Sequence, residues 1–301
     1  MEEIQVLNNA FKIYNLNNEP DLSNRILDYI LTRLLDNELL INRIIDNLNE
    51  PYKYKDLLDA FKKAYQEEDF YKVQDSIAQG VDYYSGSYPV PIGNIAIETN
   101  NPIDVIKYFV RGIKSRNTIT ISQTEYNENS LSNMIYIIFS EAIRKFGLDK
   151  NTLRILPFED CFYEMFDEVL EIEDDKEVLK QKPFTNQYII YDNDKSFTDE
   201  IEKEKERLGN IGFSFEVIDG DFDEAVKTIN KIRPYGATIY TKNKEDAYQF
   251  INLIHSPNVF FNASLTNAEK QADKKNKLYY IKKVMYPSGE DFNLENYLKE
   301  F

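Results

Sequence analysis

Residues 89–133 constrain the fold more than any other part of this 301-residue chain. The stretch reads PVPIGNIAIETNNPIDVIKYFVRGIKSRNTITISQTEYNENSLSN: an apolar strand over 94–98, a helix over 102–114, a strand over 118–122 and a second helix start after Asn127. That order is one α/β crossover unit. Pro102 falls where a first helical turn tolerates a missing N–H, and Asn100 or Asn101 supplies the capping oxygen just before it. Ile103, Ile106, Phe109, Val110 and Ile113 recur at helical spacing, so one face of this helix is made to lie on a sheet.

The flanking chain extends the pattern. Residues 1–84 read as helical throughout, with apolar positions such as Ile26, Ile30, Leu34, Leu40, Ile44, Leu48, Leu57 and Phe61 recurring every three or four places. Breaks are predicted at 18–20, 36–37 and 49–51, where Asn, Asp and Pro favour caps and turns. A helix over 129–146 stops at Gly147, a strand follows at 153–156, and 158–172 reads as an acidic helix or loop. The run EIEDDKEVLKQK at 171–182 is either a boundary between lobes or a solvated helix face. Strands at 188–191, 214–217, 238–240 and 259–261 then alternate with helices at 197–208, 222–232 and 244–254, which predicts a second α/β lobe. Residues 266–276 read as an exposed loop, 278–284 as a strand, and a turn from Tyr286 leads to a last short helix. The expected organisation is a helical segment over 1–85, a Rossmann-like lobe over 86–180, a second α/β lobe over 181–265 and a tail over 266–301. The fold class is α/β, with a parallel sheet in each lobe.

Composition narrows the function. A hydrophobic share of 42% with 22 Tyr and 19 Phe specifies a packed aromatic interior. The net charge of −16 opposes general nucleic-acid binding, which rests on neutralising phosphates. One cysteine, Cys161, and one histidine, His255, exclude a disulfide framework, a multi-Cys metal site and most histidine chemistry. The N-terminus lacks a basic, apolar leader pattern and no run of ~18 apolar residues occurs, so a cytoplasmic protein without a membrane span is expected. Neither a G-x-G-x-x-G run nor a Walker sequence is present.

Certain residues carry a resemblance. Pro91-x-Gly93, the strand ending in Glu98, Asn101-Pro102, the helix ending Lys114-Ser115-x-Asn117, and an apolar strand followed by a Ser/Asn-containing helix start resemble glutamate-5-semialdehyde dehydrogenase. This is the γ-glutamyl phosphate reductase branch of the aldehyde dehydrogenase superfamily. A second match comes in the same order downstream: Ala237-Thr238-Ile239-Tyr240-Thr241, an amphipathic helix, then Val259-Phe260-Phe261-Asn262-Ala263-Ser264. The resemblance implies an aldehyde-dehydrogenase-like pair of α/β lobes, shortened and divergent, with NADP as the cofactor of the family. It also implies that the strand opening at Leu278 and ending at Val284 is the candidate contact of a homo-oligomer.

The family's chemistry needs a thiolate that attacks the carbonyl before hydride moves to or from nicotinamide. By the resemblance the cysteine position falls in Gln181-Lys182-Pro183-Phe184-Thr185-Asn186-Gln187, on Asn186 in an ungapped alignment or on Phe184 after a slip of two. Neither is a nucleophile. Cys161 is the alternative, but its acidic neighbours in FEDCFYEMFDE raise a thiol pKa, so a structural role is weighed beside a reactive one. The resemblance makes Lys114, Ser130 and Asn133 the cofactor-binding candidates and Asn101 and Asn262 the pocket candidates. Each has a plain structural alternative: Lys114 as a helix C-terminal lysine, Ser130 as a cap. Gln123-Thr124-Glu125 replaces the family's Gly-rich turn and brings a negative charge to where phosphate would sit. The expected protein is an aldehyde-dehydrogenase-fold binding or assembly subunit without thiol-dependent reductase activity, taking a small-molecule ligand. The alternative is an active NADP-dependent reductase of γ-glutamyl phosphate or a related acyl group.

Overall fold

The computed structural model describes residues 2–17, 19, 21–67, 76–79, 83–160, 163–173, 176–181, 183–193, 195–210, 212, 214–263 and 278–287. The chain divides into two compact units, one made of Met1–Lys72 with Pro91–Lys182, the other of Val73–Val90 with Pro183–Phe301.

The first unit opens with four helices, α1 (Glu2–Leu16), α2 (Leu22–Asp36), α3 (Glu38–Leu48) and α4 (Tyr54–Gln66). The organising stretch then supplies β3 (Asn94–Glu98), α5 (Pro102–Ser115), β4 (Thr118–Gln123), α6 (Leu131–Lys145) and β5 (Leu153–Pro157). Two further strands, β6 (Glu168–Glu173) and β7 (Lys176–Gln181), complete a sheet of order β5-β4-β3-β6-β7. The first four are mutually parallel and β7 is antiparallel to β6. On one face Ile119 lies against Gly112 of α5, and beyond it the Phe109 and Phe139 rings of α5 and α6 stand 5.4 Å apart. On the other, Leu7 of α1 packs with Ala96 and Val169.

Local rules explain the helix ends. Asn101 caps α5 by accepting the N–H of Ile103 at 2.9 Å, with Pro102 at the first helical position. At its other end Arg116 turns into the left-handed region (φ 55°), and its guanidinium donates to the carbonyls of Asn17 and Glu19. The helix then docks the N-terminal layer: Tyr14 and Ser23 both donate to the Ile113 carbonyl, at 2.7 and 2.8 Å.

Gly112 is the close approach in this packing. A Cβ there would meet Ile119 Cγ1 at 2.2 Å, and Ile119 is fully buried with no room to yield. Gly112→Ala gains ~1 kcal/mol of helix propensity but loses ~1–3 kcal/mol by overpacking. Net destabilisation is expected, read as a lower urea midpoint at unchanged slope; a midpoint that rises would show that α5 can lift from the sheet without cost.

The second unit carries a sheet of order β1-β2-β12-β11-β10-β8-β9. Its strands are β1 (Ser76–Gln79), β2 (Tyr83–Pro91), β8 (Thr185–Asp192), β9 (Ser214–Asp219), β10 (Pro234–Tyr240), β11 (Asn258–Phe261) and β12 (Tyr279–Pro287). β9, β8, β10, β11 and β12 run parallel, while β1 is antiparallel to β2. The helices are α7 (Thr198–Asn210), α8 (Phe222–Ile232) and α9 (Lys244–Leu253). Side chains alternate between two buried faces, as expected for a covered parallel sheet. Ile189, Tyr191, Ala237, Ile239, Val259 and Phe261 pack with α8 and α9, whereas Tyr188, Ile190, Tyr240 and Phe260 pack with Ile201 and Leu208 of α7.

Four sequence readings are corrected. Residues 1–84 are not helical throughout, because the helices end at Gln66 and β1 and β2 follow. The β2 run YYSGSYPVP carries three Tyr, which suit a pleated surface better than a helix, and two Pro, which a helix interior does not accept. In the stretch 158–172, residues 158–160 and 163–165 are single helical turns and β6 follows, and 176–181 is not a solvated helix face but β7, after which the chain passes from one unit to the other between Lys182 and Pro183. β7 carries Lys176, Glu177 and Lys180, and its exposed positions 176, 179 and 180 recur three and four apart, which is why the run resembled a solvated helix face. Tyr286 and Pro287, read as the start of a turn, lie in β12. The loop at 266–276 and the last helix fall outside the described residues. β12 is flanked by β11 and β2 of the same chain, so a crossing to a partner subunit would exchange those pairings. Among the described residues no helix is long and apolar enough to cross a membrane.

Candidate functional site

A cavity of about 550 Å³ opens in the first unit, at the carboxyl ends of β3, β4 and β6. The sheet order reverses between β3 and β6, and in open α/β sheets ligands enter at that reversal. The turn after β3 contributes Thr99, Asn100 and Asn101, the end of β4 contributes Gln123 and Glu125, and the start of α6 contributes Ser130 and Ser132. Glu50 and Tyr52 close it from the α3–α4 connection.

The turns that frame the cavity are held by their own side chains. Thr99 Oγ1 accepts the Asn101 N–H at 3.1 Å and donates to Asp104 at 3.2 Å. Asn100 bridges the two loops, donating to Thr124 Oγ1 at 2.7 Å and accepting the Glu125 N–H at 3.2 Å. Ser130 caps α6 by accepting the Asn133 N–H at 3.2 Å. Among the described residues the walls carry three carboxylates, Glu50, Asp104 and Glu125, and no Lys or Arg. Burial, then the charges of Glu50 and Asp104, push the Tyr52 hydroxyl above its ordinary pKa.

Of the residues singled out from sequence, Asn101 and Ser130 meet in this cavity. Asn133 stands one turn into α6, its amide donating to the Glu128 carbonyl at 2.6 Å. Lys114 lies outside the cavity: it is buried, and its ammonium donates to the carbonyls of Tyr65 and Glu67 at the end of α4. It therefore meets a helix C-terminus, that of α4 rather than its own.

The remaining candidates lie in the second unit. Asn186 is exposed at the start of β8. The Phe184 ring stands edge-on to Tyr280 at 4.8 Å and beneath the Arg233 guanidinium at 5.6 Å, a packing position. Asn262, with φ 43°, closes a two-way amide clip to Thr241, accepting its N–H at 2.9 Å and donating to its carbonyl at 2.8 Å. Because β8, β10 and β11 are parallel, Asn186 and Asn262 sit at opposite ends of one sheet. His255 is exposed, and its backbone N–H donates to Asn230. Cys161 lies outside the described residues. Among those described, no group of three or more His, Cys, Asp or Glu side chains is placed to hold a metal ion.

No family model matches the sequence, and no curated protein matches it. Solved structures do. γ-Glutamyl phosphate reductase from Saccharomyces cerevisiae is similar with a TM-score of 0.52 at 15% identity, over 94% of this chain and 96% of that one. The propionaldehyde dehydrogenase of the Clostridium phytofermentans fucose utilisation bacterial microcompartment is similar with a TM-score of 0.50 at 11% identity, over 94% and 96%. The chain has the aldehyde dehydrogenase fold.

That fold implies a nicotinamide dinucleotide, and the residues of this aldehyde-dehydrogenase-fold protein do not fit one. A pyrophosphate needs free backbone donors at a helix start or a cation beside it. Here the Ile103, Glu125 and Asn133 N–H groups are taken by Asn101, Asn100 and Ser130, the charged groups among the described lining residues are carboxylates, and Lys114 is committed to α4. Sequence reading caught the charge of Glu125 but missed Glu50, Tyr52 and Ser132. The usable signal was the break at 49–51, because connections between helices are where binding residues collect.

Proposed function

We propose that this aldehyde-dehydrogenase-fold protein binds a small molecule at the carboxyl ends of β3 and β4 and does not carry out thiol-dependent reduction. The observation that supports the reading most is the acidic, side-chain-capped lining of the cavity, which repels the phosphates of NADP. The chain's chemistry agrees with it. The position aligned with the family's cysteine carries Asn186 or Phe184, and neither a carboxamide nor a phenyl ring can form and release a thioester.

Calorimetric titration with NADP⁺ and NADPH, followed by a semialdehyde oxidation assay on the parent and on Cys161→Ala, tests this. No heat at millimolar cofactor and no turnover in either protein is the expected result. Binding near micromolar, about 8 kcal/mol, with turnover lost in Cys161→Ala, would overturn the reading in favour of an active NADP-dependent reductase of γ-glutamyl phosphate or a related acyl group.

A further inference from the structure

We infer that the N-terminal half of α1 is a lid: residues 2–9 lift from the sheet of the first unit while the C-terminal half stays pinned, admitting water to one face of β4.

The first observation is the pattern of β4, TITISQ. A parallel strand covered on both faces is normally apolar throughout, whereas alternation suits a strand with one face in water. Ile119 lies against α5 and Ile121 follows it at strand period, so Thr118, Thr120 and Ser122 take the other face. In this fold α1 covers that face. Thr120 stands in register between Ala96, which packs with Leu7 of α1, and Arg154, whose guanidinium pairs with Glu3 of α1 at 3.3 Å.

The second observation is what the cover leaves unbonded. Thr120 and Ser122 are 1% exposed, and Thr152, in the single turn on which α1 packs, is 0% exposed. None of these three hydroxyls has a hydrogen-bond partner among the described residues. Each can bond water when α1 is lifted and bonds nothing when it is down, so all three favour lifting. Burial of Leu7 among Ala96, Met165, Phe166 and Val169 opposes them and holds the lid closed.

The third is an uneven grip. Besides Leu7, the N-terminal half is held by Asn8, which accepts from the Asn94 amide at 2.7 Å, and by the Glu3–Arg154 pair. Glu3 is 54% exposed, and so open a pair contributes little. The C-terminal half is fastened more firmly. Ala10 and Tyr14 are fully buried, the Tyr14 hydroxyl donates to the Ile113 carbonyl at 2.7 Å, and the Asn15 amide donates to the Arg116 carbonyl at 3.0 Å. The hinge therefore falls near Asn9. Thr118, the one hydroxyl of the row with a partner, donates at 2.6 Å to the same Asn94 that holds Asn8, so the satisfied end of the row stands at the hinge.

The test is residue-resolved hydrogen exchange on the full chain, with urea denaturation alongside, for the parent, Thr120→Val, Ser122→Ala, Thr152→Val and the remote Glu200→Gln of α7. In the parent the amides of residues 6–9 are expected to exchange as one group, at least about tenfold faster than those of residues 12–16. Thr120→Val keeps the shape and removes the unbonded hydroxyl, so it should slow the 6–9 group by about tenfold and raise the urea midpoint. Ser122→Ala and Thr152→Val should act in the same direction, and Glu200→Gln should change nothing. Should Thr120→Val fail to fold, Ser122→Ala and Thr152→Val decide. Equal protection along the whole of α1 would overturn the inference. So would a smooth decline toward residue 2 that no hydroxyl variant moves, because that is end fraying alone. Faster exchange or a lower midpoint in Thr120→Val would overturn it too, by showing that the hydroxyl is bonded beneath the closed helix.

Discussion

Replacing Arg111 by alanine is expected to lower the unfolding free energy of the first unit by ~3 kcal/mol, the cost of breaking a largely buried ion pair by removing one partner. Arg111 is 8% exposed on α5. Its guanidinium grips Glu67 with two parallel bonds of 2.8 and 2.7 Å and reaches Glu177 of β7 at 3.0 Å. Tyr108 donates to the same Glu177 oxygen at 2.7 Å. Burial opposes the Arg111 charge, but the hydrogen bond and charge of Glu67, with Glu177, outweigh it and hold its pKa above the ordinary value. Thus one side chain ties the end of α4 and the edge strand β7 to α5. Arg111→Lys keeps the charge and loses the fork, so about half the cost is expected from it. Urea denaturation gives the free energies, and hydrogen exchange should show residues 54–67 opening first. A loss below ~1 kcal/mol for the alanine variant would mean that water replaces the guanidinium at both carboxylates, as at a surface pair.

Lys282 sets the second expectation, a stability that rises with pH above neutrality. It lies on β12, 3% exposed, with its Nζ donating to the carbonyls of Ile251 and Ile254 at the end of α9, the latter at 2.8 Å. Burial pushes its pKa from 10.5 down to about 7. The unfolded chain therefore holds this proton up to pH ~10.5, whereas the folded chain releases it near 7. Between those values the unfolded state binds more protons, so unfolding free energy climbs with pH, by ~5 kcal/mol over the whole gap at ~1.4 kcal/mol per pH unit. A neutral amine still offers two N–H groups to the two carbonyls, so the folded geometry survives deprotonation. Lys282→Met should flatten the slope between pH 7 and 9.5 and, at pH 9, cost ~1–3 kcal/mol for the orphaned carbonyls. Parallel slopes in the parent and the variant would show that Lys282 stays charged in the fold.

The first α/β unit was legible because its signals are local. Pro102 after an Asn, the helical recurrence of Ile106, Phe109 and Ile113, and the apolar run at 118–122 each act within a few residues, and the strands and helices lie within a residue or two of where they were read. The second series from β8 to β11 was read in the right order, but β8 and β10 begin three and four residues before the apolar stretches read for them, because only their inner residues carry the buried-strand signal. β1, β2 and β7 were lost for the converse reason. Their residues are polar or mixed, and whether such a segment forms a strand depends on an edge supplied elsewhere in the chain.

The candidate site divides the same way. Sequence by itself determined the α/β order of both lobes, the capping of α5 by Asn101, the negative charge at the end of β4 and the lack of a thiol at Asn186 or Phe184. These are properties of neighbouring residues or of composition. Only the tertiary structure decided that Glu50 and Tyr52 face Gln123 and Ser132 across one cavity, and that Lys114 and Lys282 spend their amines on the ends of α4 and α9. It also decided that Asn186 and Asn262 lie at opposite ends of one sheet. Such juxtapositions join residues about thirty to eighty positions apart, and they follow from helices and strands burying their apolar faces together, which fixes partners that no local pattern records.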